Sequence, residues 1–172
     1  CSVGTEIYYP NSNEFHLDKK WHKYIGGRWK RDQIHDALKK INWIRLQEDV
    51  SSQNLYKISF DYRKEDYNLE EIKVALGKLY YLVNVIFSQD KFLDIIPRRA
   101  SKGNSIKFIC RKWNIPINSI FAAGDSGNDI DMFMPAVKSI IVKNHTKELL
   151  PYIHLKNNYL SEGVAAVGVL EG

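Results

Sequence analysis

Ile117-Asn118-Ser119-Ile120-Phe121-Ala122-Ala123-Gly124-Asp125-Ser126-Gly127-Asn128-Asp129 carries the reading of this chain. An apolar, strand-like run ends on a glycine-punctuated turn that holds two carboxylates four positions apart. Open α/β sheets bind ligands at the carboxyl ends of their strands, where this turn would sit. The glycines allow backbone N–H groups to crowd toward an anion and permit dihedrals that a side chain forbids. Mg²⁺ takes oxygen ligands, keeps several waters, and uses one or two protein carboxylates beside a phosphate oxygen. Asp125 and Asp129 are therefore candidate metal ligands, with a pair of solvated turn aspartates as the plain alternative.

Working outward, Asp94-Ile95-Ile96-Pro97-Arg98-Arg99-Ala100-Ser101-Lys102-Gly103-Asn104 precedes a helical pattern built on Ile106, Phe108, Ile109 and Trp113. A lysine at the mouth of a helix is useful when an anion is nearby, because the helix N-terminus already favours negative charge. Lys102, taken with the carboxylate turn one helix downstream, is a better candidate for a phosphate site than either part alone, with a surface loop lysine as the plain alternative.

The remaining pattern alternates between the two periods. Val3–Tyr9 reads as a strand ending at Pro10, Asp18–Ile25 as a short helix stopped by Gly26-Gly27, and Arg28–Ile41 as a second helix. Lys57–Tyr62 alternates like a half-buried strand. Leu69–Leu82 has helical spacing behind Asn68 as N-cap. Val83–Ser88 and Lys91–Ile96 read as paired strands joined by Gln89-Asp90. From Lys102 the order is helix, strand (Ile117–Ala123), short helix, strand (Ser139–Val142), helix (Thr146–Leu150) and a final helix from Ser161.

Composition bounds the function. The chain has 172 residues, 44% of them hydrophobic, enough for one domain or two small ones. No run approaches the roughly 18 apolar residues of a membrane span, and the start carries no basic region followed by an apolar core, as a signal peptide would. Cys1 and Cys110 make neither a metal spacing nor a disulfide framework, so a reduced, cytoplasmic protein without membrane contact is expected. His16, His22, His35, His145 and His154 show no pair at ligand spacing. Asn144-His145-Thr146 reads as a cap for the helix that follows it. The net charge of +5 suits an anionic partner. Lys19–Arg31 interleaves basic and aromatic residues as a nucleic-acid surface does. It reads instead as two amphipathic helices with Trp21 and Trp29 inward and the lysines solvated, so no nucleic acid is expected as partner.

Lys102 before one helix and Gly124-Asp125-x-x-x-Asp129 after the next strand resemble the third and fourth signature motifs of the haloacid dehalogenase superfamily of phosphatases. The resemblance narrows to the sucrose-phosphatase family. Ser2-Val3-Gly4-Thr5-Glu6-Ile7-Tyr8-Tyr9-Pro10, Trp29-Lys30-Arg31-Asp32, Tyr56-Lys57-Ile58-Ser59-Phe60, Val85-Ile86-Phe87-Ser88, the Asp94–Asn104 segment and the Gly124–Ile130 turn follow in its order over nearly the whole chain. That resemblance implies an α/β fold, a Rossmann-like parallel-sheet core with its first strands missing and an inserted α+β cap. It divides the chain into a core strand at 1–10, the cap at 11–97 and the C-terminal part of the core at 98–172.

By resemblance the activity is Mg²⁺-dependent hydrolysis of sucrose 6-phosphate through an aspartyl-phosphate. Lys102, Asp125 and Asp129 are then catalytic, Asp125 and Asp129 hold the metal, and Ser126 and Asn128 contact the phosphate. Glu6 and Lys57 are the expected ligands of the glucose unit; Arg99 is a further candidate that a salt bridge to Asp94 explains equally well. These phosphatases open with Asp-x-Asp, whose first Asp is the nucleophile, and no such pair followed by small residues opens this chain. Asp129-Ile130-Asp131 has the spacing but lies inside the fourth motif. The chain is therefore expected to be a fragment that is inactive alone. Two alternatives stay open: a regulatory phosphatase-like domain fused to or partnering a sucrose-phosphate synthase, and a phosphatase of another sugar phosphate.

Overall fold

The computed structural model describes residues 1–12, 14–49 and 53–172. The chain forms two compact units, Cys1–Ser101 and Lys102–Gly172. The first begins with a 3-10 turn at Ser2–Gly4, then an antiparallel hairpin of β1 (Tyr8–Asn11) and β2 (Glu14–Leu17). The sequence pattern suggested one strand over Val3–Tyr9. Instead Ser2, Val3 and Gly4 all adopt left-handed φ values of 51°, 58° and 85°, which no strand contains.

Helix α1 (Lys19–Gly26) starts where Asp18 accepts the backbone N–H groups of Lys20 and Trp21 at 2.8 and 2.9 Å. This is the capping arrangement that leaves fewer orphan donors. Trp21 is fully buried on its inner face, while Trp29 is half-buried and donates its indole N–H to the Leu55 carbonyl at 2.8 Å. The second helix, α2 (Arg31–Leu38), is shorter than its apolar spacing suggested. Two strands follow, β3 (Ile44–Leu46) and β4 (Ile58–Tyr62). Asn68 caps α3 (Leu69–Leu76), and Gly77 at φ 50° then tightens the expected single helix into a 3-10 segment through Leu82.

Strands β5 (Val83–Ser88) and β6 (Phe92–Pro97) pair antiparallel across Gln89 and Asp90. Both turn residues have positive φ, at 57° and 52°, as a two-residue hairpin of matching twist requires. The sheet order is β3-β4-β6-β5, all antiparallel. Period-two alternation sends Ile58, Phe60 and Tyr62 of β4 and Leu93 and Ile95 of β6 into one core with Ile34 and Leu38 of α2 and Ile72 and Leu76 of α3. On the other face Ser59 donates to the buried Asp94 at 2.5 Å.

The second unit starts with α4 (Lys102–Trp113). Asn114, at φ 53°, ends it, and the Ile115 N–H reaches back to the Cys110 carbonyl at 2.8 Å in a Schellman closure. After a 3-10 turn at Ile117–Ser119 come β7 (Phe121–Gly124), a 3-10 segment at Gly127–Met132, β8 (Lys138–Ile141), a 3-10 segment at Lys147–Tyr152, β9 (Asn158–Leu160) and α5 (Ala165–Glu171). The strands form a parallel sheet in the order β7-β8-β9. Strand β9 had no signal strong enough to separate it from the helix expected at Ser161. No helix among the described residues is long and apolar enough to cross a membrane. The fold is a mixed α/β arrangement with a parallel sheet.

The core of the first unit centres on Phe60, 2% exposed. Phe60→Ala is expected to lower the unfolding free energy by about 3–5 kcal/mol, the scale for emptying a packed aromatic site. Urea unfolding followed by tryptophan fluorescence measures it, and a loss below about 1 kcal/mol would contradict this core.

Candidate active site

Small residues lead β7 into its turn. Gly124 sits so close to Asp129 that a Cβ at position 124 would lie 2.5 Å from the Asp129 Cβ, so only glycine fits. Ser126 then caps the 3-10 segment reciprocally: its side chain accepts from the Asp129 N–H, and the Asp129 carboxylate accepts from the Ser126 N–H. Asp129 is 4% exposed. Its Oδ2 accepts the N–H groups of Asp125 and Ser126 at 3.0 and 3.2 Å, and its Oδ1 accepts the Lys102 ammonium at 2.5 Å. The same ammonium donates to Asn128 Oδ1 at 2.6 Å. Lys102 keeps a third of its side chain exposed. A cation is thus held rigidly while one side of it stays available to a ligand.

The start of α4 is also tied to this loop through its backbone. The Gly103 N–H donates to Asp131 Oδ2 at 3.0 Å, and a Cβ at position 103 would fall 2.0 Å from the Asp131 carbonyl oxygen. Asp131 therefore caps the helix that carries Lys102. The sequence offered one signal for this contact: glycine in the first turn of a helix is a poor helix former, which points to close approach.

Asp125 differs from Asp129. It is half-buried, its carbonyl accepts the Thr146 N–H at 2.7 Å, and its carboxylate has no hydrogen-bond or ion-pair partner among the described residues. Asp125 thus offers oxygen donors that a hard divalent cation accepts. Asp129 has committed both oxygens to Lys102 and the backbone. No cluster of three or more His, Cys, Asp or Glu side chains able to hold a metal occurs among the described residues. A cation here would take Asp125 from this chain and fill its shell from water, a phosphate oxygen or other carboxylates, a donor set that suits Mg²⁺.

The three expected sugar ligands all lie in the first unit. Lys57, just before β4, is 8% exposed, and its ammonium has no hydrogen-bond or ion-pair partner among the described residues. Glu6 is half-buried and its charge acts on the Tyr8 phenol. Burial first, and then the Glu6 charge, push that phenol up from its ordinary pKa. Arg99 is exposed, its guanidinium lying 5.1 Å from the Tyr24 ring centroid and donating to the Tyr24 carbonyl at 3.3 Å.

The chain is similar to known proteins over its whole length. The family model for sucrose-6F-phosphate phosphohydrolase matches residues 1–172. Sucrose-phosphatase 2 of Nicotiana tabacum is 33% identical over 168 residues, covering 91% of this chain and 38% of the tobacco protein. The mannosylfructose-phosphate phosphatase of Agrobacterium fabrum is 28% identical over 172 residues, covering 99% of this chain and 68% of that protein. The crystal structure of the Synechocystis sp. PCC6803 sucrose-phosphatase, solved with sucrose and phosphate, superposes with a TM-score of 0.85 at 29% identity over 98% of this chain and 69% of that one. The haloacid dehalogenase-like protein yhjK of Bacillus subtilis, at 22% identity and a TM-score of 0.56, shares the fold. The chain spans just over a third of the length of the tobacco enzyme. Matched over residues 1–172 by one family model, the chain belongs to the sucrose-6F-phosphate phosphohydrolase family.

Proposed function

We propose that the protein containing this chain hydrolyses sucrose 6-phosphate to sucrose and inorganic phosphate. The observation that carries the proposal is the pairing of a fixed ammonium with a free carboxylate: Lys102 is held by Asn128 and Asp129, and Asp125, in the turn that ends β7, has no partner among the described residues. The nucleophilic carboxylate is assigned to a part of the protein outside these 172 residues. Its oxygen bonds to phosphorus as the phosphorus–sugar oxygen bond breaks, and a second acid protonates the departing sugar oxygen. Water then hydrolyses the acyl phosphate, so one hard displacement becomes two easier ones.

The candidate site residues of this chain each have a physical task in that reaction. Lys102 attracts the phosphoryl oxygens and offsets repulsion between them and an approaching carboxylate, at no reorganisation cost because Asp129 and Asn128 already hold it. Asp125 would hold Mg²⁺, which when bound supplies polarisation of the phosphoryl oxygens. Asp129 acts through Lys102, and Ser126 through Asp129. Residues 98–172 are assigned to phosphate chemistry and the cap, 11–97, to sugar recognition together with Glu6. Lys57 carries the sugar assignment, since its ammonium has no hydrogen-bond or ion-pair partner among the described residues and is left for a ligand. Arg99 would serve at the margin of that site.

A second sugar is favoured by one observation, the match over 99% of the chain to a mannosylfructose-phosphate phosphatase. Comparing phosphate release from sucrose 6-phosphate, mannosylfructose phosphate and glucose 6-phosphate separates the two readings. The preferred substrate is expected to be sucrose 6-phosphate.

In the whole protein, Lys102→Ala and Asp125→Asn are each expected to lower turnover about a hundredfold or more, the scale for losing a charge-stabilising group. Phosphate release measures this, and turnover unchanged in both variants would sink the assignment. Gly103→Ala is expected to act by displacement instead. Pushing the first turn of α4 away from Asp131 should lower stability by about 1–3 kcal/mol, read from urea unfolding. Turnover should fall with the retreat of Lys102, and a variant with wild-type stability and turnover would refute the contact.

A further inference from the structure

Lys57 and Glu6 lie in adjoining segments of the first unit, and one side chain ties those segments together. Asn54 and Lys57 pair through their backbones, each N–H donating to the other's carbonyl at 3.4 and 3.3 Å. Asn54 Oδ1 accepts the Tyr56 N–H at 2.8 Å, which closes the turn. Arg31 supports it from α2, its Nη1 donating to the carbonyls of Asn54 at 2.8 Å and Lys57 at 2.6 Å. The Asn54 Nδ2 then crosses to the start of the chain and donates to Ser2 Oγ at 2.9 Å and Thr5 Oγ1 at 3.0 Å.

The segment it reaches is strained. Val3, a β-branched residue, sits at φ 58° between Ser2 at 51° and Gly4 at 85°. Such conformations persist where neighbours over-determine them, and they concentrate at sites that hold ligands. Here the determinants are Asn54, the fully buried Thr5, whose hydroxyl donates to the Ser2 carbonyl at 2.9 Å, and the Trp21 indole, which donates to the Gly4 carbonyl at 3.1 Å. Glu6 follows directly.

We propose that Asn54 is the positioning residue of the sugar site: it sets the distance between the Glu6 carboxylate and the Lys57 ammonium. The inference rests on the phosphatase reading above. No ion pair joins Glu6 to Lys57, although their charges are opposite and their segments are tied together. A carboxylate and an ammonium carried on two segments tied in this way suit neighbouring hydroxyls of a hexose ring, one donating to Glu6 and the other accepting from Lys57. A site built this way rejects molecules that lack the hydroxyls, because its own polar groups would be left unpaired.

The test uses the whole protein with two substrates, sucrose 6-phosphate and p-nitrophenyl phosphate, which carries no sugar. Asn54→Asp keeps the Oδ1 that accepts from Tyr56 and removes the Nδ2 donor; Thr5→Val removes the opposite acceptor, and Thr5→Ser restores it. Asn54→Asp and Thr5→Val are each expected to raise KM for sucrose 6-phosphate about tenfold with kcat nearly unchanged, to leave p-nitrophenyl phosphate kinetics alone, and to be rescued in Thr5→Ser. If a wild-type protein active on sucrose 6-phosphate shows no KM change in Asn54→Asp and Thr5→Val, Asn54 is not the positioning residue. Equal losses on both substrates would likewise overturn it in favour of general structural damage. A wild-type protein that cleaves p-nitrophenyl phosphate but shows no preference for sucrose 6-phosphate overturns the sugar-phosphate reading itself, and this assignment with it.

Discussion

Asp129 holds the second unit's site together because its buried carboxylate has to be satisfied from several directions at once. One oxygen takes Lys102, and the other takes two successive backbone N–H groups of the turn after β7. A buried charge left unpaired is strongly destabilising, so none of these partners can leave without cost. Gly124 is required for the carboxylate to approach the strand end, and the Ser126 cap fixes the 3-10 segment that carries Asp129 and Asn128. Asp131 then ties that segment to the first turn of α4, so the base of the Lys102 side chain and its tip are held by the same loop. Among the described residues the Asp125 carboxylate has no partner, so the scaffold does not use that side chain.

The two units are stabilised differently. In the first, a large apolar core lies between a four-stranded antiparallel sheet and two helices. In the second, a cluster of buried residues gathers around Phe133, Ile141 and Leu149, while Phe121, Val167 and Leu170 are 64%, 66% and 87% exposed. Polar closure does more there. Glu171, for example, accepts the Tyr159 hydroxyl and the N–H groups of Glu162 and Gly163, contacts that hold its carboxyl below the usual range. A network of this kind defines geometry more sharply than it adds stability.

What was legible in the sequence was local. Asp18 before an amphipathic run, Asn68 before another, and Gln89-Asp90 between two alternating segments each act within a few residues, so α1, the start of α3 and the β5–β6 hairpin could be read directly. Short strands such as β3 and β9 exist because a distant partner pairs with them, and nothing within three residues announces that. The site divides along the same line. Lys102 and Asp129 stood out because a lysine at a helix mouth and a glycine-bounded carboxylate turn each have a chemical rationale. Asp131 and Asn54 act on backbone or hydroxyl groups 28, 49 and 52 positions away, through bonds that any polar side chain could have made. Val3 gave a false signal, because β-branching favours strands in general while Asn54, Thr5 and Trp21 hold this turn left-handed.

The unequal exposure of the Lys102–Asp129 pair bears on ionic strength. Asp129 is almost wholly shielded, with 5% of its side chain exposed against 33% for Lys102. Mobile ions screen exposed charges over roughly 8 Å at physiological salt but act little on buried pairs. Added salt should therefore weaken the pull of Lys102 on any arriving anion while leaving its attachment to Asp129 intact. The site would lose capture before it lost its shape.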